Sequence, residues 1–396
     1  VRWDREPEIE MKMRGREVAI IGVGYTNFNS VTPDLSWKEL TFEAAVRAFE
    51  DAGIDPRRDV DSFITCAEDY WEGFAIFDEF TPDQLGGALR PMVTVAGDGL
   101  QGLATAYMQI SSGLFDIVVV EAHSKISDLL TYEDVVLLAF DPVYEAPLGG
   151  HPYYVAGLEM REYLEWTGTT EEECAAVVAK NKGNALRNPL APFGARVSTD
   201  EVMSSPYLFD PLKELEIAPL ADGAIVFVLA EGELARRLSD KPVFLEGIGW
   251  WSESPWIGSR FPDAEYARRA AQAAYQQAGI KDPLGELDLV EVDDRFAYKE
   301  LQHLEALGLA RPGEAGQLLL EGALGRDGEL PVNLSGGSLG MGDLVEAGGL
   351  ARALEIILQL RGEAQGRQVD EPEVGLAQSW RGVPHGTGAV AIFRRC

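Results

Sequence analysis

The chain carries one strand, helix, strand passage twice, and this repetition restricts its fold more than any other feature. Residues 18–24 (VAIIGVG) are a short apolar run closed by glycines, and residues 243–249 (VFLEGIG) repeat it, with Gly247 standing 225 positions after Gly22. Runs of this kind predict buried strands. Each is followed by apolar positions at helical spacing and an Ala-Gly-Ile ending, LTFEAAVRAFEDAGI at 40–54 and YARRAAQAAYQQAGI at 266–280, now 226 apart. The glycine in that ending is a helix stop. A second strand begins at VDSFI (60–64) and at LDLVE (287–291), with Asp288 standing 227 positions after Asp61. Three successive elements at nearly one offset indicate a duplicated unit. Downstream, 91–95 leads through a glycine-rich turn to a helix at 100–110, and 331–333 leads through Ser335-Gly336-Gly337 to a helix near 350–360. Strand and helix alternation favours parallel pairing with right-handed crossovers. The expected fold class is α/β, in two similar halves at 16–240 and 241–396, with residues 128–205 inserted in the first half as a lobe over the main body.

Composition narrows the function. The 396 residues are 46% hydrophobic, enough for two cores, and 65 acidic against 34 basic residues give a net charge of −31. That sign repels phosphate backbones and anionic membranes, so neither nucleic acid nor a membrane is an expected partner. The N-terminal VRWDREPEIEMKMRGREVAI interleaves charges where a signal peptide needs an apolar stretch, and three scattered cysteines suit a reducing compartment, so a cytoplasmic protein is expected. Gly22-Val23-Gly24 follows a strand, but Asn27 stands where a dinucleotide-binding turn needs its third glycine. The segment NLSGGSLGMGD (333–343) lacks the lysine and hydroxyl pair of a triphosphate loop. The four histidines show no metal-ligand spacing, and no GxSxG elbow occurs, so no metal or serine-hydrolase site is expected.

Longer strings carry a family likeness. SSPYLFDPLKELEIAPLADGAIVFVLA (204–230), VSTDEVMSSP, TTEEECAAVVAKNKGNALRNPLAPFG, VAGDGLQGLATAYMQISSG, LDLVEVDDRFAYKEL and PVNLSGGSLGMGD together resemble thiolases, particularly the archaeal and sterol-carrier-protein-x types, across residues 16–395. The resemblance implies the thiolase fold, five αβαβα layers, a homodimer or a dimer of dimers, and a role in lipid metabolism. It also implies a coenzyme A thioester as substrate, with no tightly bound cofactor. Thiolases use a nucleophilic cysteine at a helix start, a histidine and a second cysteine.

This chain departs from that set at each position. Ala96 falls where the nucleophile belongs, and Asp98 where a small residue follows it. The family's Asn-Glu-Ala-Phe or His-Asp-Cys-Phe motif corresponds to Asp293-Asp294-Arg295-Phe296, and its Gly-His-Pro to Gly342-Asp343-Leu344. Ser379 or Trp380 stands at the second cysteine. Cys66 is expected to be a buried structural thiol. An ionised aspartate opposes enolate charge but serves as a general base on a hydroxyl, which suits aldol or retro-aldol chemistry without an acyl-enzyme. Some thiolase relatives cleave hydroxyacyl-CoA side chains this way beside a small protein with an oligonucleotide-fold domain, which makes such a protein an expected partner. Candidate catalytic residues are therefore Asp343, Asp293, Tyr298 and His385. Lys180, Lys182 and Arg187, a basic patch in an acidic chain, are candidate contacts for the carrier phosphates together with Ser335, Gly336 and Gly337. The contrasting expectation is a catalytically silent acyl-CoA-binding or scaffold subunit, or an ordinary acyltransferase whose nucleophile lies elsewhere.

Overall fold

The computed structural model describes residues 15–68, 76–253, 262–382 and 386–396. The main strands are β1 (Val18–Tyr25), β2 (Ser62–Cys66), β3 (Met92–Val95), β4 (Ile117–Ser124), β5 (Gly223–Glu231), β6 (Val243–Ser252), β7 (Leu289–Glu291), β8 (Val374–Trp380) and β9 (Thr387–Arg395). The helices that matter for the site are α1 (Trp37–Ala52), α2 (Gly99–Ser111), α3 (Pro152–Thr167), α4 (Glu171–Ala185), α5 (Glu265–Ala278), α6 (Ala297–Ala306), α7 (Gly337–Met341) and α8 (Gly348–Arg361).

Hydrogen bonding joins the strands in the order β3-β2-β4-β5-β1-β6-β9-β8-β7. The duplication reads outward from the β1 and β6 contact: each half places its first strand centrally, its last strand beside it, and its second strand further out. Val332 pairs outside Val290 of β7, in the place β3 occupies against β2. The expected parallel pairing holds where β2 meets β3 and β4 and where β7 meets β8, but not throughout the sheet. β5 runs antiparallel to both β4 and β1, and β9 antiparallel to β8 and β6. β5 is reached through the inserted lobe and β9 by a short return from β8, so neither follows the crossover helix that parallel pairing requires.

Alternation along the strands explains why their sequences are apolar throughout. In β1, Val18 and Ile20 face the central layer, while Ala19 and Ile21 face the outer layer built on α1. In β9, Ala389, Ala391 and Phe393 face inward, and Val390 and Ile392 face the layer built on α5. Between the two half-sheets lie α2, which touches strands of both halves, and α8, buried along its whole length. The result is α1, sheet, α2 with α8, sheet, α5, the five layers expected. The lobe leaves the body at Lys125 and returns at Asp222, whose buried carboxylate accepts from Thr32 N (2.9 Å), Ser127 N (3.0 Å) and Lys125 Nζ (3.0 Å) and so pins both ends of the insertion. No helix among the described residues is long and apolar enough to cross a membrane.

The repeated glycines have a packing cause. A Cβ on Gly24 would lie 2.0 Å from Ala44 O, and one on Gly249 would lie 2.2 Å from Ala270 O, so α1 and α5 rest directly on the strand backbones through alanine faces. Overpacking of this kind costs about 1–3 kcal/mol. Gly24→Ala and Gly249→Ala should each lose at least that much in denaturant unfolding. Gly183→Ala, on α4 with open space around it, should be neutral or gain up to ~1 kcal/mol from helix propensity. Equal losses at all three positions would contradict this packing account.

Candidate functional site

The site forms where the two central helices begin. Asp98 is the N-cap of α2, and its carboxylate accepts from Leu100 N at 2.9 Å and from Gly349 N in the first turn of α8 at 2.7 Å. One carboxylate thus satisfies one orphan amide of each helix. Gly349 has to be glycine, because a Cβ there would lie 1.9 Å from Asp98 Oδ1. Burial raises the pKa of Asp98, and its hydrogen bonds and the Arg352 guanidinium offset only part of that rise. Ala96 is exposed in the turn between β3 and Asp98, at the position where the nucleophile is expected, and offers no thiol.

The second strand pair supplies the opposite wall. Beyond β7, Asp293 is fully buried, with Arg352 Nη2 at 2.7 Å from Oδ2 and the Arg295 amide at 3.0 Å from Oδ1. Burial would raise its pKa, but Arg352 and Arg295 outweigh that and hold it below the ordinary value, so Asp293 is ionised. Asp294 turns the other way, onto the first amides of α7 and Asn181 Nδ2 (2.7 Å), and burial with nearby Glu300 lifts its pKa to about 7. Arg295 Nε lies 2.8 Å from Asp343 Oδ2. Asp343 also accepts from Val345 N (3.0 Å), and its backbone is tied to Pro219 and Ala221 at the lobe's return. Burial raises the Asp343 pKa against the pull of Arg295. The rim adds Arg381, whose carbonyl accepts from Arg295 Nη1 (3.3 Å) and whose guanidinium contacts Glu68. Gly382 has φ +105°, and a Cβ there would strike Arg295 Nη1 at 2.0 Å.

Several polar atoms of this cluster are buried without a formed hydrogen bond among the described residues: Asp293 Oδ2, Arg295 Nε, Arg352 Nε and Nη1, and Ser379 Oγ. The two arginines touch their carboxylates at ion-pair distance, yet their N–H vectors miss the oxygens, leaving donors directed elsewhere. Ser379 lies beside Asp98 and helps to hold its pKa down, although its hydroxyl makes no well-formed bond. Ser379, not Trp380, faces the central helices: Ala377 belongs to the central layer, whereas Trp380 packs in the outer layer with its ring 6.0 Å from that of Phe296.

The remaining expected residues separate into groups. Asp293 and Asp343 come together through Arg295. Tyr298 is buried in the outer layer, donating to Glu159 Oε2 on α3 at 3.1 Å beside the Lys299 and Glu159 pair (2.6 Å), so it supports the lobe and makes no bond to either aspartate. His385 lies outside the described residues. Lys180 is turned inward onto Glu300 (2.9 Å) and Val332 O (2.9 Å), and Lys182 onto Leu339 O (3.1 Å). Both ammoniums contact acceptors of neighbouring elements, while Arg187 is exposed. Ser335 also points inward, its amide 3.0 Å from Glu291 Oε1. Gly336 and Gly337 take φ of +100° and +58° to start α7, and a Cβ on Gly337 would lie 2.1 Å from Asp294 Oδ2. Cys66 is fully buried against Gly102, with its pKa pushed well up by burial and Glu121, the structural thiol expected.

Sequence reasoning missed Arg352 and the role of Arg295. Arg295 was visible as a large cation at a motif position that is small in thiolases. Arg352 left a weaker signal, a cation flanked by apolar residues in the first half of its helix. His303 was also passed over; its Nδ1 meets Asp293 O (2.9 Å) and its Nε2 meets Tyr266 OH (2.7 Å), and burial with Lys299 lowers its pKa to about 3, so a neutral imidazole braces the motif.

Comparison with known proteins agrees with this geometry. Residues 259–395 match the family model described as Thiolase C-terminal domain-like. An acetyl-CoA acetyltransferase of Methanothermobacter thermautotrophicus is 34% identical over 391 residues, covering 96% of this chain and 100% of that protein. Sterol carrier protein 2 of Bos taurus is 27% identical over 388 residues, covering 91% of this chain and 69% of its own length. Among solved structures, the Ltp2-ChsH2(DUF35) aldolase superposes with a TM-score of 0.83 at 23% identity, covering 96% of this chain and 98% of that one. A chain that aligns with an acetyl-CoA acetyltransferase from end to end and repeats its half-sheets around two buried helices belongs to the thiolase superfamily.

Proposed function

We propose that this chain breaks or forms a carbon-carbon bond in a 3-hydroxyacyl-CoA by acid and base catalysis, without an acyl-enzyme. The observation that carries the reading is the exchange at the helix start: Ala96 removes the thiol, while Asp343, Asp293, Arg295 and Arg352 bring ion-paired carboxylates and guanidiniums to the same place. Thioester thiolysis needs a nucleophile there. Retro-aldol cleavage needs only a base for the hydroxyl proton and a donor for the developing enolate. Asp343 is the proposed base, because burial raises its basicity while the Arg295 contact keeps a carboxylate tenable. The name of the Ltp2-ChsH2(DUF35) aldolase carries both the activity and a second component, which supports a partner protein for this chain as well.

A silent acyl-CoA-binding subunit is the competing reading, favoured by the ion pairs that already occupy Asp293 and Asp343. Mass spectrometry of products from a panel of acyl-CoA and 3-hydroxyacyl-CoA substrates, with and without a partner of that type, separates the two. We expect a shortened acyl-CoA with a ketone or aldehyde from a 3-hydroxyacyl-CoA, and a loss of about a hundredfold or more in Asp343→Asn with the fold retained. No product from any hydroxyacyl-CoA, or full activity in Asp343→Asn, would reject the proposal.

We further propose a homodimer through β3, an edge strand with Val93 38% exposed and free to pair across a two-fold axis. The interface should exceed about 2,000 Å², in the obligate class. Light scattering at micromolar concentration should give the dimer mass, and a monomer mass would exclude it.

A further inference from the structure

We infer that Arg295 is a catalytic residue of this chain, binding the thioester oxygen of the substrate and holding the negative charge that develops on it. The inference rests on the retro-aldol reading above and extends it to a residue that stands where thiolases carry a small side chain.

Three observations point to it. Arg295 and Asp343 lie side by side, Nε to Oδ2 at 2.8 Å, and both are almost wholly buried. A 3-hydroxy thioester carries its hydroxyl and carbonyl oxygens on carbons separated by one atom, close enough to share a six-membered ring. A carboxylate and a guanidinium in contact match that pair of oxygens, base against hydroxyl and donor against carbonyl. Second, although Arg295 Nε is buried 2.8 Å from Asp343 Oδ2, its N–H makes no well-formed hydrogen bond among the described residues, and Nη1 makes only a long 3.3 Å bond to Arg381 O. A guanidinium serving structure alone would aim its fork at the carboxylate it neutralises, as Arg367 does with Glu355 through three bonds of 2.8 to 3.0 Å. Third, several other donors of the cluster are committed, although Arg352 Nε and Nη1 make no formed bond among the described residues. Asp98 occupies the amides that open α2 and α8, and Arg352 Nη2 donates to Ser338 Oγ at 2.7 Å behind Asp293. Gly382 leaves the space that the Arg295 side chain fills.

The step balances within the substrate and these two groups. Asp343 takes the hydroxyl proton, the oxygen pair forms the new carbonyl, and the C2–C3 pair moves to C2 and the thioester oxygen, where Arg295 holds it. C2 then recovers the proton from Asp343, giving a shorter acyl thioester and a ketone or aldehyde, with no other reactant consumed.

The test uses binding, so that it does not depend on turnover. A CoA thioether ending in a nitroethyl group ionises to a planar nitronate that imitates the enolate, and the corresponding propyl thioether is its neutral counterpart. Calorimetry on the full chain should show the nitronate binding at least a hundredfold more tightly than the propyl thioether. Arg295→Met should lose most of that preference while binding the propyl thioether within about threefold, and Arg295→Lys should keep part of it. Arg295→Met/Asp343→Asn, which leaves no unpaired charge, guards against misfolding of the single variant and should lose the preference as well. A nitronate preference that is absent in the wild type, or unchanged in Arg295→Met or in the double variant, would overturn the inference. An Arg295-dependent preference in a protein that cleaves no hydroxyacyl-CoA would instead reject the retro-aldol reading and leave the oxyanion site standing.

Discussion

Two buried guanidiniums, Arg295 and Arg352, sit between three buried aspartates at the point where the central helices start, and the centre of the fold depends on that arrangement. Asp293 and Asp343 are almost wholly out of water, and an ion in such a place is tenable only with a partner in contact. Removing one partner of a buried pair typically costs about 3–5 kcal/mol, because the remaining charge is left uncompensated. Asp98 ties the same region to the backbone by capping α2 and α8 together. The layers that enclose these helices therefore hold a charged centre that few alternative side chains would satisfy.

That centre differs from the thiolase arrangement at the same helix start. A thiolase directs a helix N-terminus at a thiolate, whose pKa the dipole lowers. In this chain the N-terminus of α2 is occupied by its own Asp98, and Ala96 has nothing to ionise. The charged side chains gathered there come instead from the turn between β7 and α6, from α8 and from the loop at Asp343. The lobe reaches the same loop through Pro219 and Ala221, so the insertion and the acidic site are mechanically joined.

Much of the fold was legible because its cause is local. Gly22, Gly24, Gly247 and Gly249 are written into the strands because helices lie directly on them, and the Ala-Gly-Ile endings mark where those helices stop. Parallel pairing was legible for β2, β3, β4, β7 and β8, but nothing local to β5 shows that the lobe returns the chain from the opposite end. At the site, the losses at Ala96 and Asp343 were visible as departures from motifs, whereas the ion pairs that make them workable join residues far apart in sequence. For Lys180 and Lys182 only the charge was visible in the sequence; the acceptors they contact, Glu300, Val332 O and Leu339 O, lie more than a hundred residues away. Tyr298 follows the DDRF motif by two residues, and its packing with Phe296 in the outer layer and its bond to Glu159 were not legible from that spacing.

The central claim is that no covalent acyl-enzyme forms in this chain. Intact-protein mass spectrometry after incubation with acetyl-CoA and acetoacetyl-CoA, followed by peptide mapping, tests it most directly. The account predicts an unmodified mass, with Cys66 unlabelled because its thiol is buried against Gly102 and its pKa is raised. A stoichiometric acyl adduct on Cys66, accompanied by thiolysis of acetoacetyl-CoA, would contradict it and make the chain an ordinary acyltransferase.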